Sequence, residues 1–185
     1  MRGCVLVVMA AMGCRPAPVQ LNPDKERARE SASTVQRETA MTTAPGGIVT
    51  ARDGSTLDLA TTWAAAPGVV IFYRGHWCPH CQRQLGELEK RRPELGASKI
   101  IAISSDQPAD LTAMHDKLGL GFELYSDSEL GVITKWGVED YGKGIARPAT
   151  FIVTTTGTIA FQKVGERPED RPTVDEIVQA LANLQ

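Results

Sequence analysis

The sequence predicts a three-layer α/β/α sandwich with a central mixed sheet and an N-terminal β-hairpin extension. Two short apolar runs rich in β-branched residues, at 68–73 and 99–104, are typical of strands that are covered on both faces. Helical patterns follow both runs, so strands and helices alternate along the chain. Turn signals at Asp53-Gly54 and Gly157 predict hairpins near the two ends of this segment.

The predicted domain covers residues 47–185 and begins with a hairpin of strands 48–50 and 56–59. The continuous apolar run at 68–73 is the expected central strand, because a strand buried on both faces does not alternate with polar residues. The later elements are, in chain order, a helix at 84–95, a strand at 99–104, a helix at 108–118, a strand at 122–125, a short helix at 128–136, paired strands at 149–153 and 158–164, and a helix at 174–184 capped by Thr173.

The charge balance argues against a protein that binds polyanions. Lys and Arg number 20 against 22 Asp and Glu, the formal net charge is −2, and no Lys/Arg-rich block stands out. Nucleic acid is therefore not an expected partner. Three histidines and four cysteines are too few for an extended zinc array, and the sequence predicts no metal and no dissociable cofactor.

The first 46 residues predict an address signal and a tether. A short positive start precedes a nearly continuous apolar run, which fits a signal peptide at 1–13 and is too short to span a membrane. Residues 11–14, Ala-Met-Gly-Cys, resemble the bacterial lipobox, which implies lipidation of Cys14 and a membrane-anchored lipoprotein in the periplasm or extracytoplasmic space. The composition of 14–46 predicts a flexible tether. The alternatives are a hydrophobic N-terminus with an unmodified cysteine and an N-terminal helix docked on the domain.

The chemistry of the chain is predicted at Trp77-Cys78-Pro79-His80-Cys81, which leaves the central strand and opens a helix. Free amide groups and the positive end of the helix dipole favour a negative sulfur at Cys78. The thiolate is the reactive form of cysteine. Pro79 fits the first helical turn, and Cys81 lies about one turn further on, within reach of a disulfide with Cys78.

Two other interpretations of the cysteine pair remain open, half of a metal site and two inert buried thiols. A zinc site would need two more ligands, and the chain has no second cysteine pair for them. A copper- or zinc-binding chaperone that uses the pair with one histidine is therefore the least favoured hypothesis. The histidines are His76, His80 and His115.

Residues 72–81, followed by the stretch 147–153 and Gly157, are similar to the thioredoxin-fold redoxins of the AhpC/TSA (peroxiredoxin-like) superfamily. The resemblance covers the whole predicted domain and implies a thioredoxin-like fold. It implies that Pro148 follows a cis peptide bond, lies against the active-site sulfur and shapes a substrate groove. The preceding Arg147 would lie near the same sulfur, where a cation favours the thiolate.

Two positions depart from the peroxide-reducing members, which resemble Pro-x-x-x-Thr-x-x-Cys around the reactive cysteine. Ile71 and Gly75 occupy the Pro and Thr positions, so the hydroxyl contact with peroxide is missing. The Cys-Pro-His-Cys tetrapeptide instead resembles that of DsbA-type periplasmic oxidants. Trp-Cys-Pro-x-Cys resembles membrane-tethered thioredoxin-like reductases of the same compartment.

The sequence therefore predicts a membrane-tethered thiol–disulfide oxidoreductase that exchanges electrons with protein thiols and disulfides and with a thiol donor or acceptor. Cys78 attacks a substrate disulfide, and Cys81 resolves the mixed disulfide. The alternative is a peroxiredoxin-like peroxidase, in which Cys78 reduces a hydroperoxide and Cys81 condenses with the sulfenic acid. The predicted supporting residues are Trp77 and Pro79 beside the sulfur, His80 and Arg147 as charges that tune the potential, and Pro148 in the docking groove.

Overall fold

The structure of the chain is a computed structural model that describes residues 42–184. The predicted signal segment 1–13, Cys14 and most of the predicted tether lie outside the described residues. Within 42–184, no helix combines the length and the apolar character that a bilayer-spanning helix requires.

A mixed β-sheet forms the middle layer of the domain. The described strands are β1 (Ile48–Ala51), β2 (Thr56–Asp58), β3 (Gly68–Phe72), β4 (Lys99–Ser104), β5 (Leu124–Ser126), β6 (Glu139–Asp140), β7 (Ile145–Ala146), β8 (Ala149–Val153) and β9 (Ile159–Val164). Seven of them form one sheet in the order β2-β1-β5-β4-β3-β8-β9, and β6 pairs with β7. Because β3 runs parallel to β4 and antiparallel to β8, it lies inside the sheet. The predicted fold class and central strand are confirmed.

Helices cover the sheet and are joined to it by short turns. The described α-helices are α1 (Pro79–Lys90), α2 (Pro108–Leu118), α3 (Gly131–Lys135) and α4 (Val174–Ala182). The predicted N-cap of α4 is present as a full capping box, in which the Thr173 hydroxyl accepts from the Glu176 amide and the Glu176 carboxylate accepts from the Thr173 amide.

One predicted helix has different bounds in the structure, and one hairpin was not predicted. The helix expected at 84–95 begins five residues earlier, at Pro79, and ends at Lys90, and Arg92–Leu95 forms a 3-10 turn. The cause is Pro93, which has no amide to donate and would clash with the preceding turn of an α-helix. The small β6–β7 hairpin was not predicted, because strands of two residues carry no readable periodicity.

The side chains of β3 alternate between two hydrophobic cores. Val69, Ile71 and Tyr73 at the end of the strand face the core beneath α1, α2 and α4, and Val70 and Phe72 face the core beneath α3. Covering both faces of the strand explains why its sequence reads as one apolar run. The cysteine pair belongs to the first core, so the predicted chemistry lies between α1 and the sheet.

The chain joins the domain earlier than the predicted boundary at residue 47. Ala44 is buried, its amide donates to the Gly157 carbonyl at 2.8 Å, and Thr43 forms a bridge with Thr158. The last residues assigned to the tether, 42–46, are therefore part of the fold. Pairing with the turn between β8 and β9 satisfies backbone groups that a free tether would leave to water.

Replacing Leu85 by Ala is expected to lower the free energy of unfolding by about 2 to 5 kcal/mol, because this α1 side chain is fully buried. The control is Ile48→Ala at a side chain that is 65% exposed, where the loss should be below about 1 kcal/mol. Urea unfolding followed by circular dichroism measures both variants. Equal losses would contradict the assignment of Leu85 to the core.

Candidate active site

Cys78 is the N-cap residue of α1, at the point where the chain turns from β3 into the helix. Its backbone is extended, and its carbonyl accepts from the amides of Cys81 at 3.0 Å and Gln82 at 3.1 Å. Pro79 follows at the start of the helix, where a missing amide donor costs nothing. This end of α1 is electropositive, since the first-turn amides and the helix dipole both point to it.

Both thiols of the pair are free and buried. Cys78 is 1% exposed and Cys81, in the first turn of α1, is 0% exposed. Burial, opposed by the charge of Arg171, raises the pKa of the Cys81 thiol to about 11, and hydrogen bonding with the Cys78 side chain adds to the rise. Cys81 is therefore a protonated thiol at neutral pH, packed against the sulfur at the helix N-terminus.

Arg171 is the cation that contacts the cysteine pair. Its Nη2 atom donates to Sγ of Cys81 at 3.1 Å, its Nη1 donates to Oε1 of Gln84, and its Nε donates to the Pro168 carbonyl at 2.7 Å. Gln84 is itself buried and donates to the Thr150 hydroxyl at 3.4 Å. The sequence analysis missed Arg171, because 90 positions separate it from Cys81 and no local pattern marks it.

The loop between β3 and α1 is held by Asp106, a residue that the sequence analysis also missed. The Asp106 carboxylate accepts from the His76 amide at 2.7 Å and from the Ser104 hydroxyl at 2.9 Å, and it lies 3.0 Å from His76 Nδ1. Gly75 sits between these groups. A Cβ atom there would lie 2.5 Å from Nε1 of Trp77 and 3.1 Å from Oδ1 of Asp106, and the φ of +153° is one that residues other than glycine rarely adopt, so the loop favours glycine at this position.

The other predicted residues of the motif lie at the surface. The Trp77 side chain is 51% exposed, and the guanidinium of Arg74 lies 5.2 Å from its ring centroid. His80 Nδ1 lies 2.8 Å from Nη2 of Arg83 one turn along α1, and Pro79 is exposed. The His80 ring thus contacts Arg83 on the surface of α1, and the cation that contacts the sulfur of Cys81 is Arg171.

Two expectations drawn from the resemblance are corrected here. All described peptide bonds are trans, including the bond before Pro148. Both sides of this bond are paired as extended chain, since the Arg147 amide donates to the Val138 carbonyl and the Gly165 amide donates to the Pro148 carbonyl, each at 2.7 Å, and trans is the lower-energy form. The second correction concerns Arg147, whose guanidinium donates to the Gly137 carbonyl at 2.8 Å. The arginine that donates to a cysteine of the pair is Arg171, shortly before α4.

One group of described side chains offers atoms close enough to hold a metal ion. Ligand atoms of His76, Asp106 and Asp110 lie within 4.8 Å of one another. The Asp106 oxygens, however, already accept hydrogen bonds from the loop and from Ser104, and neither cysteine of the pair belongs to the group. Among the described residues, no histidine brings a ring nitrogen into such a group with the two cysteines.

A buried dithiol that opens a helix directly after the central strand of a mixed α/β sheet defines the class of thioredoxin-like redoxins. Residues 40–162 match the family model described as the AhpC/TSA family, and the chain belongs to this family. It is an oxidoreductase.

Relatives with sequence similarity fall into two groups. A candidate peroxiredoxin of Mycobacterium tuberculosis is 30% identical over 125 residues, which is 63% of this chain and 78% of that protein. The thiol-disulfide oxidoreductase ResA of Halalkalibacterium halodurans is 28% identical over 118 residues, which is 62% of each chain. The chain is thus similar to proteins named for each of the two reactions that its sequence predicts.

Solved structures agree with the fold. The crystal structure of peroxidoxin BcpB from Mycobacterium tuberculosis superposes with a TM-score of 0.71 at 18% identity, covering 78% of this chain and 96% of that one. The AhpC of Enterococcus faecalis gives the same TM-score and identity, covering 78% of this chain and 90% of its own. At this identity the likeness establishes the three-dimensional fold.

Because the pKa of Cys81 is raised to about 11, we expect its thiol to be alkylated about 100-fold more slowly at about pH 8 in the folded protein than in the urea-unfolded chain, where a cysteine titrates near 8.5. The folded rate should keep rising with pH, since only the thiolate reacts. Peptide mass spectrometry of the iodoacetamide-treated wild-type protein, with fragmentation between the two sulfurs, distinguishes Cys81 from Cys78 and from the N-terminal cysteines. A folded rate that levels off near pH 8.5 would contradict this assignment.

Proposed function

We propose that the protein is a thiol–disulfide oxidoreductase that works through the Cys78/Cys81 couple. The observation that carries the proposal is the difference between the two sulfurs. Cys78 caps an electropositive helix end, and Cys81 is a fully buried thiol one turn further along, with a raised pKa. In a dithiol arranged in this way, one sulfur is suited to attack a substrate disulfide and the other to resolve the mixed disulfide.

The exchange reaction follows from this arrangement. The Cys78 thiolate attacks one sulfur of a substrate disulfide, forming a mixed disulfide and releasing the other sulfur as a thiolate. Cys81 then loses its proton and attacks the Cys78 sulfur, which closes the Cys78–Cys81 disulfide and releases the second substrate thiol. Two electrons pass from the protein dithiol to the substrate, and the reverse sequence oxidises a substrate dithiol.

Replacing Cys78 by Ser is expected to abolish reduction of insulin disulfides, because the attacking sulfur is lost. Replacing Cys81 by Ser should leave the first attack intact and accumulate a mixed disulfide that is visible by mass spectrometry under non-reducing conditions. His115→Ala, a change in α2 at a histidine beside Asp116, is the control and should retain the wild-type rate. Activity that survives in Cys78→Ser would overturn the assignment.

A second candidate function, peroxide reduction, is favoured by the relatives that are named peroxiredoxins. In that reaction the Cys78 thiolate attacks the terminal oxygen of the hydroperoxide, the O–O bond breaks, and the rest leaves as an alcohol, or as water from hydrogen peroxide. Cys81 then condenses with the sulfenic acid on Cys78 and releases water. The loop weighs against fast peroxide reduction, because Gly75 stands at the Thr position of the peroxide-reducing pattern and a side chain there would collide with Trp77. Stopped-flow mixing of the reduced protein with hydrogen peroxide separates the functions, since a rate no faster than that of a free thiol excludes the peroxidase.

The proposal includes a location, an extracytoplasmic protein held at the membrane by a lipid on Cys14. It is supported by the apolar segment at 1–13 and by the lipobox-like residues 11–14. Wild-type protein expressed in a bacterial host is expected in the membrane fraction with a mass that includes the lipid. Cys14→Ser should shift the protein to the soluble fraction, and an unchanged distribution of an unmodified protein would refute the anchor.

A further inference from the structure

We propose that Arg171 is a catalytic residue of the resolving step, acting as the counter-ion of the Cys81 thiolate when this sulfur attacks the mixed disulfide. The inference deepens the proposed function and rests on it. It assigns a task to a residue that lies far from the Cys-x-x-Cys motif in sequence and contacts it in space.

The contact is direct and the guanidinium is held in place. Nη2 of Arg171 donates to the Cys81 sulfur at 3.1 Å, Nη1 donates to the Gln84 side chain, and Nε donates to the Pro168 carbonyl. Gln84 is buried and is linked in turn to Thr150 on β8. The fork of donors is thus oriented before the reaction starts, so little reorganisation is needed when charge develops on the sulfur.

The need for a counter-ion comes from the burial of Cys81. A sulfur without exposed surface cannot be stabilised by water when it becomes negative, and the proton must leave before the sulfur can attack. Among the residues that the structure describes, the titratable or charged groups that interact with the Cys81 side chain are Arg171, Cys78 and the neutral phenol of Tyr73. Arg171 is the cation among them, and its charge favours the thiolate.

The balance of the step shows where the charge of Arg171 acts. In the mixed disulfide, Cys78 is already bonded to the substrate sulfur and carries no charge. Cys81 gives up its proton, its sulfur bonds to Cys78, and the Cys78–substrate bond breaks, so that the leaving thiolate takes up the proton. The buried negative charge exists on Cys81 only between these events, and it lies next to Arg171.

The experiment uses the full chain with Cys4 and Cys14 replaced by Ser, so that the absorbance change comes from the proposed couple. Reduced protein in excess is mixed in stopped flow with 4,4′-dithiodipyridine, a neutral disulfide whose released thione is coloured. The first release is bimolecular and reports attack by Cys78. The second release is unimolecular and reports resolution by Cys81. Because the probe is neutral, losing the positive charge of Arg171 in a variant does not change how fast the probe meets the protein.

We expect Arg171→Gln to slow the second phase about 10- to 100-fold, the usual value of a lost hydrogen bond to a charged group, and to leave the first phase within about twofold of wild type. Arg171→Lys retains the charge but not the forked donors of the guanidinium, so the rate of its second phase should lie between those of wild type and Arg171→Gln. Arg167→Gln is the matched control in the same loop. Its side chain is 75% exposed and pairs with Glu169, so both phases should stay within about twofold of wild type.

Each outcome is decisive. A normal second phase in Arg171→Gln, with a normal first phase, overturns the role of Arg171 and leaves the proposed function standing. Equal slowing of both phases shows that Arg171 only maintains the fold of the site, which also overturns the role. A wild-type protein that gives no second release refutes the exchange function itself. If Arg171→Gln does not fold, the Arg171→Lys protein decides, since its first phase reports whether the site is intact.

Discussion

The active-site chemistry depends on a sulfur that is kept out of water. Cys81 has no exposed surface, and burial makes its negative form costly. Arg171 works against that cost from 3.1 Å away. Cys78, one turn earlier, receives the field of the helix N-terminus. The two sulfurs of one motif therefore lie in different surroundings, and the proposed exchange assigns the attack to Cys78 and the resolution to Cys81.

The rest of the domain holds this pair at the end of β3. The strand is covered on both faces, so its end cannot shift without disturbing two cores. The loop that follows is held by hydrogen bonds to the Asp106 carboxylate, and its backbone angle at position 75 favours glycine. The start of α1 is thereby set in both position and direction. Because position 75 is a glycine, the loop carries no side-chain hydroxyl at that point.

Much of the fold could be predicted from the sequence, because it is encoded in local patterns. The apolar runs at 68–73 and 99–104 became β3 and β4, the periodicity at 108–118 became α2, and the capping box at Thr173 marked the start of α4. Errors arose where one residue overrode a pattern, as Pro93 did at the end of α1. The expected cis bond at Pro148 came from a resemblance, and the structure has this bond in the trans form.

The sequence by itself determined the cysteine pair, its place after the central strand and its place at a helix N-terminus, since all three depend on neighbours within about one turn. Only the tertiary structure decided which charges surround the pair. Arg147, adjacent to the predicted groove, is bound to the Gly137 carbonyl, and Arg171 from a distant loop reaches the sulfur. Such contacts are set by how the chain closes around its core, and a buried counter-ion therefore leaves no local signal in the sequence.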